Sequence, residues 1–115
     1  MNRKLFAVAL VFAPISAAFA HAHLKSSEPA DGSTLAKAPS EFVLNFSEGA
    51  RVTALTVQKD GGTEQKVSPL PATTAAQAKI AAPKLENGHY TVTWRVASDD
   101  GHVMNGKFSF TVGGN

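Results

Sequence analysis

The chain has 115 residues, 11 Lys+Arg against 9 Asp+Glu, a formal charge of +2, and no cysteine. The missing thiols exclude a disulfide scaffold, a Cys-ligated zinc site, a type 1 blue copper centre and thiol redox chemistry. Arg3 and Lys4 account for the whole positive excess, so the remainder is formally neutral and nothing favours nucleic acid or an acidic membrane surface.

Residues 1–20 read as an export signal rather than as part of a fold. Arg3 and Lys4 precede an apolar run from Leu5 to Ile15, and Ala18-Phe19-Ala20 has the small-x-small pattern that a signal peptidase cuts after. The run is short for a bilayer span, which needs about 20 apolar residues. The expected mature protein is residues 21–115, a single domain placed in the periplasm. An exported domain of this size without disulfides must hold together by packing, which suits a sandwich or barrel.

In chain order, His21 to Ser27 alternates loosely and predicts a first strand, followed by a turn cluster, Glu28-Pro29-Ala30-Asp31-Gly32-Ser33. Ala36 to Pro39 is a second irregular link. Glu41 to Ser47 alternates with Phe42, Leu44 and Phe46 on one face. Arg51 to Lys59 repeats the pattern with Val52, then either Ala54 or Leu55, then Val57. Asp60-Gly61-Gly62 predicts a hairpin turn into Thr63–Val67. Ser68 to Thr74 is a loop, Gln77 to Ala82 a weak strand, and Leu85 to Gly88 a turn. Tyr90 to Val96 is the strongest strand, with Tyr90, Val92, Trp94 and Val96 facing one way. Lys107 to Val112 closes the chain with Phe108, Phe110 and Val112 inward. No segment has a helical period. About seven short strands separated by turns predict an all-β, Ig-like antiparallel Greek-key sandwich, with Trp94 as a core anchor.

The chemistry concentrates at two places. Asp100 and His102 stand two residues apart at the end of the strongest strand, and in an extended chain they share a face. Cleavage after Ala20 makes His21 the first residue, able to chelate a metal through its α-amine and ring Nδ1. Both nitrogens have modest reference proton affinities, near ~7.8 and ~6.5, so a metal displaces those protons at neutral pH. With His102 and a carboxylate oxygen of Asp100, the set becomes three nitrogens and one oxygen. Square-planar N/O ligation suits Cu(II); Zn(II) accepts the same donors in a tetrahedron. On spacing alone, a solvated N-terminus beside an ordinary Asp-Asp-Gly turn is the competing interpretation.

Several stretches resemble the CopC family of periplasmic copper-resistance proteins: His21-Ala22-His23-Leu24, Ser27-Glu28-Pro29-Ala30-Asp31-Gly32, Asn45-Phe46-Ser47-Glu48, Tyr90 through His102, and Gly106-Lys107-Phe108-Ser109-Phe110. They run in order through the whole mature chain, and the strand ending in Asp100-Gly101-His102 is the most specific. The resemblance implies a β-sandwich binding one Cu(II) through His21, Asp100 and His102, with Asp99 off the motif and on the other face. Some members also carry a methionine-rich loop for Cu(I). This sequence departs from them: Met104 is the only methionine after the signal, and Ser47-Glu48-Gly49-Ala50 stands where thioethers would be needed, so no dedicated Cu(I) site is expected.

His23 and Glu48 are auxiliary candidates. His21-Ala22-His23 is itself a Cu(II) chelating sequence through deprotonated backbone amides, but that mode takes amides out of a strand ladder. His23 is therefore expected to be a bystander or auxiliary ligand in the folded protein. Glu48 is expected either to hydrogen-bond a metal ligand or to be a solvated carboxylate. His89 and Arg95 are expected at the surface. The leading expectation is a monomeric Cu(II)-binding protein for copper sequestration and resistance, with an inner-membrane copper transporter as acceptor. It is not an enzyme, since no nucleophile–base constellation is present. The alternatives are a histidine-brace copper oxidase or monooxygenase, which would produce hydrogen peroxide with ascorbate, and a metal-free Ig-like interaction module, which would retain no metal.

Overall fold

The computed structural model describes residues 23–113; the expected signal, its boundary and His21 lie outside the described residues. Seven strands follow one another: β1 (Leu24–Glu28), β2 (Ser33–Leu35), β3 (Glu41–Lys59), β4 (Glu64–Lys66), β5 (Ala75–Ala81), β6 (Gly88–Ser98) and β7 (Val103–Val112). All regular elements among the described residues are strands, and they form a β-sandwich.

The central element is β3, whose 19 residues were expected as two strands. Its first half lies between β1 and β5, and its second half between β4 and β6, with all four pairings antiparallel. The two halves thus have different neighbours, and the strand turns a corner between them from one layer of the sandwich to the other. Ala50 marks that corner, lying opposite both Ala75 of β5 and Ser98 of β6. Glu48-Gly49-Ala50, which lay between the two expected strands, here carries the strand from one layer to the other.

A bulge resolves the alternation that sequence left open. Val52 and Leu55 are both buried although they are three residues apart, which a regular strand forbids. Val52 pairs with Val96 and Ala54 with Arg95, so Thr53 is the extra residue and resets the faces. Its Oγ1 donates to the carbonyl of Arg95 at 3.2 Å.

β6 and β7 form a long hairpin from Gly88 opposite Val112 to Ala97 opposite Val103. Tyr90, Val92, Trp94 and Val96 are buried, as are Phe108, Phe110 and Val112, while Thr93 and Arg95 face solvent. The layers meet through aromatic rings: Phe42 lies 6.0 Å from Phe110 between ring centroids, and Phe46 meets Trp94 edge-on at 5.4 Å. Within the β6–β7 ladder, Tyr90 stacks on its partner Phe110 at 5.5 Å. Trp94 lies across Gly106, its partner in the ladder. A Cβ on Gly106 would stand 2.5 Å from the indole, so only glycine allows the ring to lie there.

One strand departs from the expected pattern. β2, three residues in the region expected as turn and link, pairs with β7 in parallel rather than antiparallel fashion. The turn before it docks on the same strand: Gly32 N–H donates to Ser109 O at 2.8 Å, and Ser109 N–H to Asp31 Oδ1 at 2.9 Å. So short and polar a segment has no periodicity of its own, and its place is set by the distant strand it meets.

Candidate metal centre

The β6–β7 connection is four residues, Asp99-Asp100-Gly101-His102. Ser98 N–H donates to His102 O at 2.9 Å, and Gly101 N–H donates back to Ser98 O at 2.9 Å. Gly101 adopts φ +88°, the left-handed conformation that closes such a loop. Asp100 and His102 therefore come together across a turn. The expectation that extended alternation puts them on one face is corrected: the chain reverses between them.

The side chains complete the turn. Asp100 Oδ1 accepts hydrogen bonds from the Ser98 hydroxyl and from the His102 N–H, the latter at 3.1 Å. Asp100 Oδ2 lies 2.9 Å from His102 Nδ1. Both side chains are about half exposed. The hydrogen bond from Ser98 and the one from the His102 backbone, helped by the charge of His102, hold the Asp100 carboxyl down to about 2 against an ordinary 3.8. A carboxylate oxygen ionised at neutral pH beside an imidazole nitrogen is a ready pair of hard-to-borderline metal donors.

Ser98 is buried at the end of β6 and is the residue that sequence reading passed over as a functional one. The available signal was its position two before Asp100, the spacing at which a hydroxyl and a carboxylate meet across a turn.

His23 stands at the start of β1. Its carbonyl accepts from Ser47 N–H at 2.9 Å, its N–H donates to Ser47 Oγ at 3.0 Å, and its ring Nδ1 lies 3.3 Å from the same oxygen. Ser47 is three positions before Ala50, the residue opposite Ser98. At the rise of a strand that is about 10 Å. The first described residue and the Asp100–His102 turn thus share one end of the sandwich. Glu48 is exposed in the same bend, and Asp99 turns toward it, its Oδ2 lying 3.4 Å from where a Cβ on Gly49 would be.

A second His–Asp pair occupies the far end of β6. His89 Nδ1 lies 3.1 Å from Asp60, exposed as expected. Among the described residues no three His, Cys, Asp or Glu side chains are gathered to hold a metal ion. Asp100 and His102 are a two-donor pair.

A family model described as the CopC domain matches residues 24–113. The chain belongs to the CopC family. It is 36% identical to copper resistance protein C of Escherichia coli, with 97% of each chain covered. It is also 35% identical to the protein YobA of Escherichia coli K12, over 82% of this chain and 80% of that one. Among solved structures, it resembles CopC from Methylosinus trichosporium OB3b with a TM-score of 0.68 and 29% identity, covering 80% of this chain and 93% of that one. PcoC, a methionine-rich copper resistance protein from Escherichia coli, matches with a TM-score of 0.60 and 32% identity over 81% and 99%. This CopC-family chain has two methionines, Met1 and Met104, and Met104 is half-buried against the core.

Proposed function

We propose that this CopC-family chain is a periplasmic Cu(II)-binding protein that sequesters copper in copper resistance and passes it to a membrane acceptor. It binds one ion through the α-amine and imidazole of His21, the carboxylate of Asp100 and the imidazole of His102. The observation that carries this is the Asp100–His102 pair, held 2.9 Å apart at the same end of the sandwich as the start of β1. His21 precedes His23 by two residues, within about 7 Å of chain.

The donor chemistry favours copper. Two donors bonded to one ion at about 2.0 Å stand ~2.8 Å apart as neighbours in a square plane and ~3.3 Å apart in a tetrahedron. The 2.9 Å separation is that of an ion pair between the two side chains, whose shared proton a metal ion would displace. Sulfur donors suited to Cu(I) are absent from the turn and from the Ser47–Ala50 bend. His23 is left as a bystander because its N–H and carbonyl are already engaged by Ser47. With most positions filled by protein donors, the site binds and releases rather than catalyses.

The test is Cu(II) titration of protein beginning at His21 and of its His102→Ala and Asp100→Asn variants. Tight one-to-one binding that collapses in His102→Ala and weakens in Asp100→Asn is expected. Equal affinity in all three would overturn the assignment.

A further inference from the structure

We propose that Ser98 is a positioning residue of the copper site: its hydroxyl, together with the His102 N–H, occupies Oδ1 of Asp100 and reserves Oδ2 for the metal. The inference rests on the copper-binding reading above and deepens it.

A carboxylate at a hairpin turn has two equivalent oxygens and a freely turning end, so by itself it presents neither oxygen in a fixed direction. Here the two differ. Oδ1 accepts from the Ser98 hydroxyl and from His102 N–H, which takes up the roughly two acceptor positions of one carboxylate oxygen. Oδ2 faces His102 Nδ1 and keeps acceptor capacity on the side of the imidazole. The Ser98 hydroxyl has a single proton and also lies 3.3 Å from the carbonyl of His102. The carboxylate takes that proton because a hydrogen bond to an ion is the stronger one.

The hydroxyl has a firm base from which to act. Ser98 is buried, it ends β6 opposite Ala50 at the corner of β3, and its own N–H is tied to His102 O. Its backbone therefore stays in place when the side chain is changed. Outer-shell partners of this kind typically alter metal affinity by about 10–100-fold.

The experiment uses protein beginning at His21 and measures Cu(II) affinity by chelator competition for wild type, S98A, S98T, D100N and the S98A/D100N double variant. Electron paramagnetic resonance of the Cu(II) forms and imidazole 15N shifts of His102 in the metal-free forms accompany it. S98A is expected to bind about 10-fold or more weakly, to change the copper spectrum and to move the His102 shifts. S98T, which keeps the hydroxyl on a strand-compatible side chain, is expected to restore all three. S98A is expected to add nothing in the D100N background. An S98A protein with wild-type affinity and spectrum, while D100N binds weakly, overturns the role of Ser98 and leaves the copper site standing. Equal losses from S98A with and without Asp100 overturn it too, since the effect would then not pass through the carboxylate. Unchanged binding by D100N itself removes the copper-site reading and this inference with it.

Discussion

His102 Nδ1 lies 2.9 Å from Asp100 Oδ2 across a turn whose hinge, Gly101, holds φ at +88°. The proposed metal donors are thus presented by a backbone conformation that L-residues adopt at a cost of about 1–2 kcal/mol. Nothing lies within 4 Å of where a Cβ on Gly101 would stand, so Gly101→Ala carries that conformational cost without a clash. Thermal melting should register the loss at about 4–8 °C for each kcal/mol in a domain of this size. Cu(II) affinity should fall with it, as the turn relaxes and separates the donors. A variant as stable as wild type would show that the turn tolerates another φ.

The acid behaviour of the turn has a definite sign. Asp100 has its carboxyl lowered in the folded protein to about 2 from 3.8. Its contribution to stability is therefore complete above pH 3.8 and disappears as pH falls through about 2. Asp100→Asn should melt below wild type at pH 5, and the gap should narrow as pH falls from 3.8 toward 2 and close only below that. A gap that stays constant across this range would contradict the ionised turn. Copper should be released on acidification, because protons compete with the metal for its donors.

At the core, Gly106 and Trp94 make a second sharp prediction. Gly106→Ala places a methyl 2.5 Å from the indole, against a ring already fixed by Phe46. Overpacking of this kind costs about 1–3 kcal/mol, and the tryptophan fluorescence should shift as the ring is displaced. Gly106→Ala with unchanged stability and fluorescence would mean that the indole has room to move.

His23 divides the folded protein from its N-terminal peptide. In the protein its N–H and carbonyl are engaged by Ser47, so His23→Ala should leave Cu(II) affinity nearly unchanged. In an isolated peptide beginning His21-Ala22-His23 the same change should weaken binding strongly, because there the amides are available. Strong loss in the folded protein would assign His23 a direct place among the ligands.

Much of this architecture is written in local pattern. β6 and β7 alternate cleanly, and Phe42, Leu44 and Phe46 share the face that sequence assigned to them. The hidden parts are those set by partners far along the chain. β3 looked like two strands because the alternation is interrupted at Glu48-Gly49-Ala50, yet the strand runs on by exchanging one pair of neighbours for another. The bulge at Thr53 and the parallel strand β2 have no local signature either. At the site, Asp100 and His102 were legible as a pair, although by alternation rather than by the reversal at Gly101. Ser98 went unnoticed as a functional residue because its role depends on where its hydroxyl points. The part assigned to His21 rests on sequence and family resemblance and remains a proposal.

The central claim is that the free amine of His21 completes the Asp100–His102 pair. Cu(II) titration of two purified forms tests it most directly, one beginning at His21 and one carrying a single additional glycine before it. The account predicts tight one-to-one binding by the first and a collapse of affinity in the second, since the extra residue converts the amine into an amide. Equal binding by both forms would contradict it.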